Sequence, residues 1–562
     1  MTDAFPRALA GPSSKERKYD RQLRLWAASG QQALEEAQVL LVNSDGPWDD
    51  EGTGVPGVVG VETLKNLVLP GIGGFTIVDP AMVTESDLGV NFFLEEESLG
   101  KSRAQETCRL LRELNPDVDG NFQTKPIAEL LQDTNFLGQY KIVLISGPLK
   151  RSSLNALSKG ARELGIPVLY THSIGFYSTF SLQLPAEFPI VETHPDPETT
   201  QDLRLVNPWP ELAEAGAQIS NLDSLDDHQH GHVPYVLLLL HYLEKWKAAH
   251  NGNTPSNYKE KTEFREMVRA SARMNNTEGG EENYDEAAAA VLKSLTPFTL
   301  RSTLREIFEM EECKNLKPES NNFWIIASAI NGFYQKYKVL PLPGSLPDMK
   351  AQSADYIALQ NIYKTKAKKD IEEVTGIVRR IESQLGSRPS PVPEKDIEIF
   401  CKNAAHIKVV LGRNIPQLDE GDEHLFKTVR NNLSVIEGLP ETLMPIFIAS
   451  QILDAIVTDI QEGKLVSGSI DNEEVWRNQI DHFVGILRHD DPAAVDKDTQ
   501  RRIADATQEL RRTEGGELHN ISALTGGLVA QEALKVITRQ YGPLDNTCIF
   551  DGVRSRTEMY RL

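Results

Sequence analysis

The stretch VLLVNSDGPWDDEGTGVPGVVGVETLKNLVLPGIGGFTIVD (residues 39–79) decides the fold. An apolar run, VLLV, enters a glycine-rich loop. A helical pattern, VETLKNLVL, follows, and a second apolar run ends at Asp79. Strand, helix, strand is one right-handed crossover of a parallel sheet. Within the loop Gly52, Gly54 and Gly57 spell G-x-G-x-x-G. In nucleotide-binding folds such a turn lets backbone N–H groups at a helix N-terminus reach phosphate. This loop is longer than such a turn and carries Asp45, Asp49, Asp50 and Glu51, whose charge opposes phosphate. Pro56 removes one N–H donor, and no G-K-[ST] follows. The expectation is an elongated surface loop standing where a phosphate site has been lost.

Outward from this unit the same alternation continues. SLGKSRAQETCRLLRELNP (residues 98–116) reads as a helix closed by Pro116. KIVLIS (141–146) and PVLYTHS (167–173) are nearly continuous apolar runs, as strands buried on both faces should be. Near the end, HNISALTGGLVAQEALKVITRQ (519–540) reads as a helix and NTCIFDG (546–552) as a strand. Alternation of this kind predicts an α/β, doubly wound domain. Between its two parts lie helical patterns separated by polar breaks. The expected organisation is a flexible tail over 1–15 and an α/β domain over 16–180. A mainly helical insertion follows over 181–505, and the α/β domain returns over 506–562. ERKYDRQLRLWAASGQQALEEA (16–37) reads as one helix with Tyr19, Leu23 and Trp26 on an apolar stripe. Arg21 lies about 200° around the helix from Tyr19, free to face a ligand or partner.

The composition excludes several classes. Asp and Glu number 81 against 59 Lys and Arg, a formal charge of −22. Phosphate-backbone binding needs clustered cations, so no nucleic-acid partner is expected. No run of about 18 apolar residues is evident, so no membrane span is expected. The first residues lack an apolar signal core. Cys108, Cys313, Cys401 and Cys548 are scattered and form no C-x-x-C pair, so neither a zinc site nor a disulfide framework is expected. Cys108 shares a helical face with Ala104 and Leu111. We expect none of the four to be catalytic and no bound metal. His228, His230 and His232 cluster in DDHQHGHVP, read as a solvated lead-in to a helix starting after Pro234.

Five stretches then carry a family resemblance. KYDRQLRLW (18–26), LKNLVLPGIGGFTIVD (64–79), VNFFLEEESLGKSRA (90–104), LNPDV (114–118) and ISALTGGLVAQEALKVIT (521–538) resemble, in matching order, the activating enzymes of ubiquitin-like modifiers. HPDPETTQDLRL (194–205), PFTLRSTLREIF (297–308) and NNFWIIASAINGFYQKY (321–337) extend the similarity to the regulatory, non-catalytic subunits of the neddylation-activating enzymes. The resemblance implies a ThiF/MoeB-like, Rossmann-like adenylation-type domain split by a helical insertion. It also implies a heterodimer with a catalytic subunit. That subunit would hold ATP, magnesium and the thioester cysteine, and would activate the C-terminal glycine of a Nedd/Rub ubiquitin-like modifier. The location implied is cytoplasmic and nuclear.

The motifs depart from the active pattern in a consistent direction. Active subunits carry S-N-L-N-R-Q-F where this chain has Ser86, Asp87, Leu88, Gly89, Val90, Asn91 and Phe92. Val90 replaces an arginine that meets ATP phosphates. Asp79 and Lys101 stand at the positions of a ribose aspartate and a phosphate lysine, and both read equally as structural remnants. By resemblance, Arg21 reaches across the dimer to the partner's ATP phosphates. Phe323, Trp324, Ile326, Ile330, Phe333 and Tyr334 form one helical stripe, read either as core or as a partner interface. A pure dimerisation scaffold, or a subunit serving another modifier, are the alternatives.

Overall fold

Among the described residues ten strands form in chain order: β1 (Gln38–Val42), β2 (Gly74–Val78), β3 (Asp119–Gln123), β4 (Ile142–Gly147), β5 (Val168–Ile174), β6 (Tyr177–Gln183), β7 (Glu187–Val191), β8 (Ile407–Leu411), β9 (Thr547–Asp551) and β10 (Arg556–Tyr560). The computed structural model describes residues 13–46, 56–196, 199, 201–219, 222–276, 279–418, 422–433, 441–466, 468–489, 491 and 494–562. Gly52, Gly54, Asp49, Asp50 and Glu51 of the glycine loop lie outside these residues, as does most of the 1–15 tail.

Eight strands make one sheet in the order β10-β9-β6-β5-β4-β1-β2-β3. From β3 to β5 the strands are parallel. From β5 to β10 they are antiparallel. The sheet is therefore α/β, as expected, with an antiparallel flank. Central β1 carries Val39, Leu40, Leu41 and Val42 at 0% exposure, because neighbouring strands and helices cover both faces. At the edges the pattern fades. β3 (DGNFQ) and β10 (RTEMY) are largely exposed polar strands, which gives short, charged edges that resist further pairing.

Two compact units divide the chain: Met1–Phe188 with Val410–Leu562, and Pro189–Val409. This corrects the single helical insertion expected over 181–505. Its second part, from 410 onward, is helical but belongs with the sheet. Met444, Phe447, Ile452, Ile456, Trp476 and Leu510 share one core with Ile174, Ile549 and Tyr560 of the strands. Helical periodicity shows that a segment has an apolar face, and says nothing about which core receives it. The expected boundary at 505/506 falls inside the helix Lys497–Arg512.

Met444–Gln461 is also long and apolar enough to cross a membrane, yet 83% of it is buried inside the protein. Asp454 on this helix accepts from the Tyr170 hydroxyl at 2.7 Å and lies 2.9 Å from His172 Nε2. It is a core helix tied to the sheet by buried polar groups.

The expected helix over 16–37 is interrupted. Ser14–Lys18 ends at Tyr19, and Asp20–Glu35 carries a break at Trp26 and Ala27, the latter at φ 55°. The break lets both aromatic side chains turn inward. Tyr19 and Trp26 are buried, and the Tyr19 hydroxyl accepts from Asn115 Nδ2 at 3.0 Å.

The unit Pro189–Val409 is built on helices, including Tyr235–Ala249, Glu282–Ser294, Asn322–Tyr337 and the 33-residue Ser353–Leu385. They enclose two apolar cores, one around Leu239, Phe264 and Tyr363, the other around Ile326, Ile330 and Phe400.

Candidate functional site

Ligands of open α/β sheets bind beyond the carboxyl ends of the strands. Here that region gathers Asn43 after β1, Asp79 after β2 and Ser146 within β4. Ser146 Oγ donates to Asn43 Oδ1 at 3.2 Å, and Asn43 Nδ2 donates to Asp79 Oδ2 at 3.0 Å. Asp79 is fully buried. Arg103 Nε donates to its Oδ2 at 2.7 Å, and Arg103 Nη2 to its Oδ1 at 3.2 Å. The Ala81 N–H takes a further position on Oδ1 at 3.0 Å. Arg103 Nη1 reaches Asp87 Oδ1 at 2.8 Å. Burial pulls the Arg103 guanidinium down, but Asp79 and Asp87 outweigh it and hold it above its ordinary range. A carboxylate with four internal donors has no face left for a ribose hydroxyl. Asp79 is thus a structural anchor, one of the two readings its position allowed.

The phosphate end of the site is filled as well. Helix Val58–Val68 begins after Gly57, whose φ of 68° only glycine adopts without strain. Gly57 has no side chain to cap the helix, so the first amides need another acceptor. Glu517 supplies it. The Val58 N–H donates to Oε1 at 2.9 Å and the Val59 N–H to Oε2 at 2.8 Å. Ser522 Oγ donates to Oε2 at 2.5 Å. The arrangement is the one a phosphate would adopt at this helix end, with a carboxylate in its place. Burial pushes the Glu517 carboxyl up to about 7, against the opposing pull of Ser522 and the amides of Val59, Val58 and Gly57. Sequence reading missed Glu517. Its only local signal is an acid just ahead of the apolar 519–538 helix, and its contacts lie far away in sequence.

Beside this sealed end, His519 Nδ1 pairs with the Val90 carbonyl oxygen at 2.9 Å, and Phe92 stacks on the imidazole at 3.7 Å. Phe92 is 71% exposed, an aromatic face left open to solvent. Lys101 is also exposed; its backbone bonds Ser98 and Val83, and among the described residues its side chain has no hydrogen-bond or ion-pair partner.

Arg21 stands apart from these groups. It is exposed on the helix Asp20–Glu35 and has no hydrogen-bond or ion-pair partner among the described residues. Asp20, the nearest candidate to neutralise it, pairs with Arg24 at 2.9 Å instead. Among the described residues nothing takes up the guanidinium's fork of donors.

The other sequence candidates resolve into structure. Phe323, Trp324, Ile326, Ile330 and Phe333 are all buried, and Tyr334 packs on the same core. The partner-interface reading of this stripe is corrected: within this fold the helix turns it inward, because its neighbours Val374, Val378 and Phe400 cover it. Cys108, Cys313, Cys401 and Cys548 are buried thiols. Burial pushes Cys108 and Cys313 up to about 11 and Cys548 up to about 12, the reverse of an activated nucleophile. His230 has both ring nitrogens engaged, with Glu281 Oε1 at 2.7 Å and the Tyr284 hydroxyl at 3.0 Å. His232 Nδ1 meets the His228 carbonyl oxygen at 2.7 Å. Among the described residues, no group of three or more His, Cys, Asp or Glu is arranged to hold a metal ion.

Comparison with known proteins follows this geometry. The ThiF family model matches residues 19–562. The chain is 36% identical over 563 residues to the NEDD8-activating enzyme E1 regulatory subunit of Xenopus laevis, covering 98% of this chain and 99% of the relative. It is 36% identical over 556 residues to the protein of the same name from Drosophila melanogaster, covering 98% of each. It is 32% identical over 550 residues to the NEDD8-activating enzyme E1 regulatory subunit AXR1 of Arabidopsis thaliana, covering 97% of this chain and 96% of the relative.

Proposed function

The chain belongs to the ThiF family and, within it, to the NEDD8-activating enzyme E1 regulatory subunits, and from that premise we propose that it is the non-catalytic half of a heterodimeric activating enzyme. The observation that carries this reading is the Glu517 carboxylate on the amides of Val58 and Val59. A helix end whose first amides already bond a side-chain carboxyl group has no place for a nucleotide phosphate, and Asp79 is spent on Arg103. ATP and magnesium therefore sit on the catalytic subunit, and this chain binds neither.

In the reaction, the carboxylate of the modifier's C-terminal glycine attacks the α-phosphate of ATP and pyrophosphate leaves. A cysteine thiol of the catalytic subunit then displaces AMP to give the thioester. The contribution of this chain is to dimerise and to present Arg21 to the partner's ATP. A delocalised, always-charged guanidinium offsets the charge that develops on phosphate oxygens in the transition state. Its exposure and lack of an internal partner support that role.

ATP–pyrophosphate exchange with the Nedd modifier tests the reading. The chain alone should be silent, and the chain with the catalytic subunit active. The Arg21→Ala chain with that subunit should be strongly impaired. Exchange by the chain alone would overturn the reading. Full activity with Arg21→Ala would leave a dimerisation scaffold.

A further inference from the structure

The starts of β4 and β5 lie at the opposite end of the sheet from Asn43, Asp79 and Ser146, and a pocket of about 320 Å³ opens there. Its size is at the lower end of the range of small-molecule pockets, about 300–1,000 Å³. Lys141, Ile166 and Pro167 enter it from the strand starts, and Val536 and Arg539 from the end of the helix His519–Thr538. Ile166, Phe188 and Val536 are buried and make apolar walls. Among the described residues lining the pocket are two cations, Lys141 and Arg539, and no carboxylate. This runs against a chain whose formal charge is −22.

The two cations are close enough to act on each other, and neither is neutralised. The Lys141 N–H donates to the Gln38 carbonyl oxygen at 2.7 Å, but among the described residues its ammonium has no hydrogen-bond or ion-pair partner. Lys141 is open to solvent, yet burial and the charge of Arg539 lower it from the ordinary lysine range, and Glu36 opposes only part of that shift. Glu36 accepts from Gln32 Nε2 at 2.8 Å and does not line the pocket. Arg539 is half-buried and lies over the Phe188 ring, its Cζ 4.6 Å from the centroid. A ring contact of this kind takes up no N–H donor, and among the described residues nothing accepts from the Arg539 guanidinium. The helices Arg151–Glu163 and His519–Thr538 both end at this pocket. The carbonyl end of a helix carries about half a negative charge, which eases the repulsion between the cations and leaves their donors unspent.

We propose that this pocket binds a phosphate group borne on a small apolar body, with the Arg539 fork on two phosphate oxygens and Lys141 on the third. Phosphate fits better than carboxylate because of the number of oxygens. An arginine fork takes both oxygens of a carboxylate and leaves a neighbouring lysine without one. A phosphate monoester offers three terminal oxygens and a charge of about −1.5 to −2 near pH 7, which matches two cations. The apolar body lies against Leu164, Ile166 and Val536. Ligands of open α/β sheets bind at the carboxyl ends of the strands. This pocket is at the amino ends, so it is separate from the sealed nucleotide site and does not depend on the role proposed for Arg21.

Calorimetric titration of the full chain with phenyl phosphate tests this, with benzoate and a short phosphoserine peptide as the other probes. Saturable binding of phenyl phosphate is expected, weakened about tenfold or more by Lys141→Gln and by Arg539→Gln. Lys141 is open to solvent, so Lys141→Gln should keep the wild-type unfolding midpoint, and its loss of binding is then read on a folded chain. Tighter binding of the peptide would identify the source as a phosphorylated protein side chain, and tighter binding of phenyl phosphate a free small molecule. No saturable binding of phenyl phosphate up to about 10 mM would overturn the proposal. So would benzoate binding as tightly as phenyl phosphate, or binding indifferent to Lys141→Gln.

Discussion

Glu517 and Val58 are 459 residues apart in sequence, and the carboxylate of one accepts the backbone N–H of the other at 2.9 Å. The contact closes the first turn of the helix that nucleotide-binding relatives of this fold open to phosphate. It joins the first and last parts of the α/β unit through the same atoms that would otherwise hold a ligand.

The Glu517 carboxyl should make stability depend on pH. Its pKa rises from 4.5 to about 7 on folding, chiefly through burial. A raised folded-state value means that its stabilising contribution is full below about 4.5 and is lost as pH rises through about 7. The swing is on the order of 3 kcal/mol. Glu517→Gln removes the titration while keeping a side-chain acceptor. The difference in thermal midpoint between wild type and Glu517→Gln should therefore shift in favour of the variant from pH 5 to pH 8. A difference independent of pH would show that Glu517 stays ionised throughout.

Arg103 should be among the most sensitive positions in the sheet unit. Arg103→Ala leaves Asp79 and Asp87 buried without their cation. Breaking a buried pair from one side costs about 3–5 kcal/mol. Urea unfolding should show a loss of that order, and a loss below about 1 kcal/mol would mean that the two carboxylates find other donors.

Arg21 should show the opposite profile. Arg21 is exposed and has no side-chain partner among the described residues, so Arg21→Ala should change stability by no more than about 0.5 kcal/mol. With the catalytic subunit, pyrophosphate exchange should nevertheless fall by about 10³-fold or more, the range of arginines that act on phosphate in trans. Thermal unfolding and exchange, measured on one preparation, separate the two effects.

Ile330→Asp should unfold the helical core and not act as a surface lesion. Ile330 is 0% exposed among Ile326, Phe333 and Val374. A buried, unpaired carboxylate costs several kcal/mol. Circular dichroism should show lost helix or a much lower midpoint. A variant that keeps the wild-type midpoint yet fails to bind the catalytic subunit would return this stripe to the interface.

Much of the architecture is legible in the sequence. The runs VLLV, FTIV, IVLIS and VLYTHS are apolar on both faces, and only a covered parallel sheet accommodates that. β3 and β10 escaped because edge strands bury little, so their sequences carry no apolar pattern. The departure from the active motif was legible at Val90 and in the acidic residues of the glycine loop. The exposure of Arg21 followed from its angle to Tyr19, although the helix between Tyr19 and Glu35 is broken at Ala27.

What the sequence determined by itself was therefore local: which segments are strands and helices, which faces are apolar, and which motif residues are replaced. The tertiary structure alone decided what those faces and charges meet. It assigned the helices after Val410 to the sheet and turned the Phe323–Phe333 stripe inward. It also brought Glu517 to Val58 and Arg103 to Asp79. Periodicity is set by neighbours three or four residues away along a helix. Burial of charge is set by neighbours in space, and a chain of 562 residues offers too many of those for spacing to choose among.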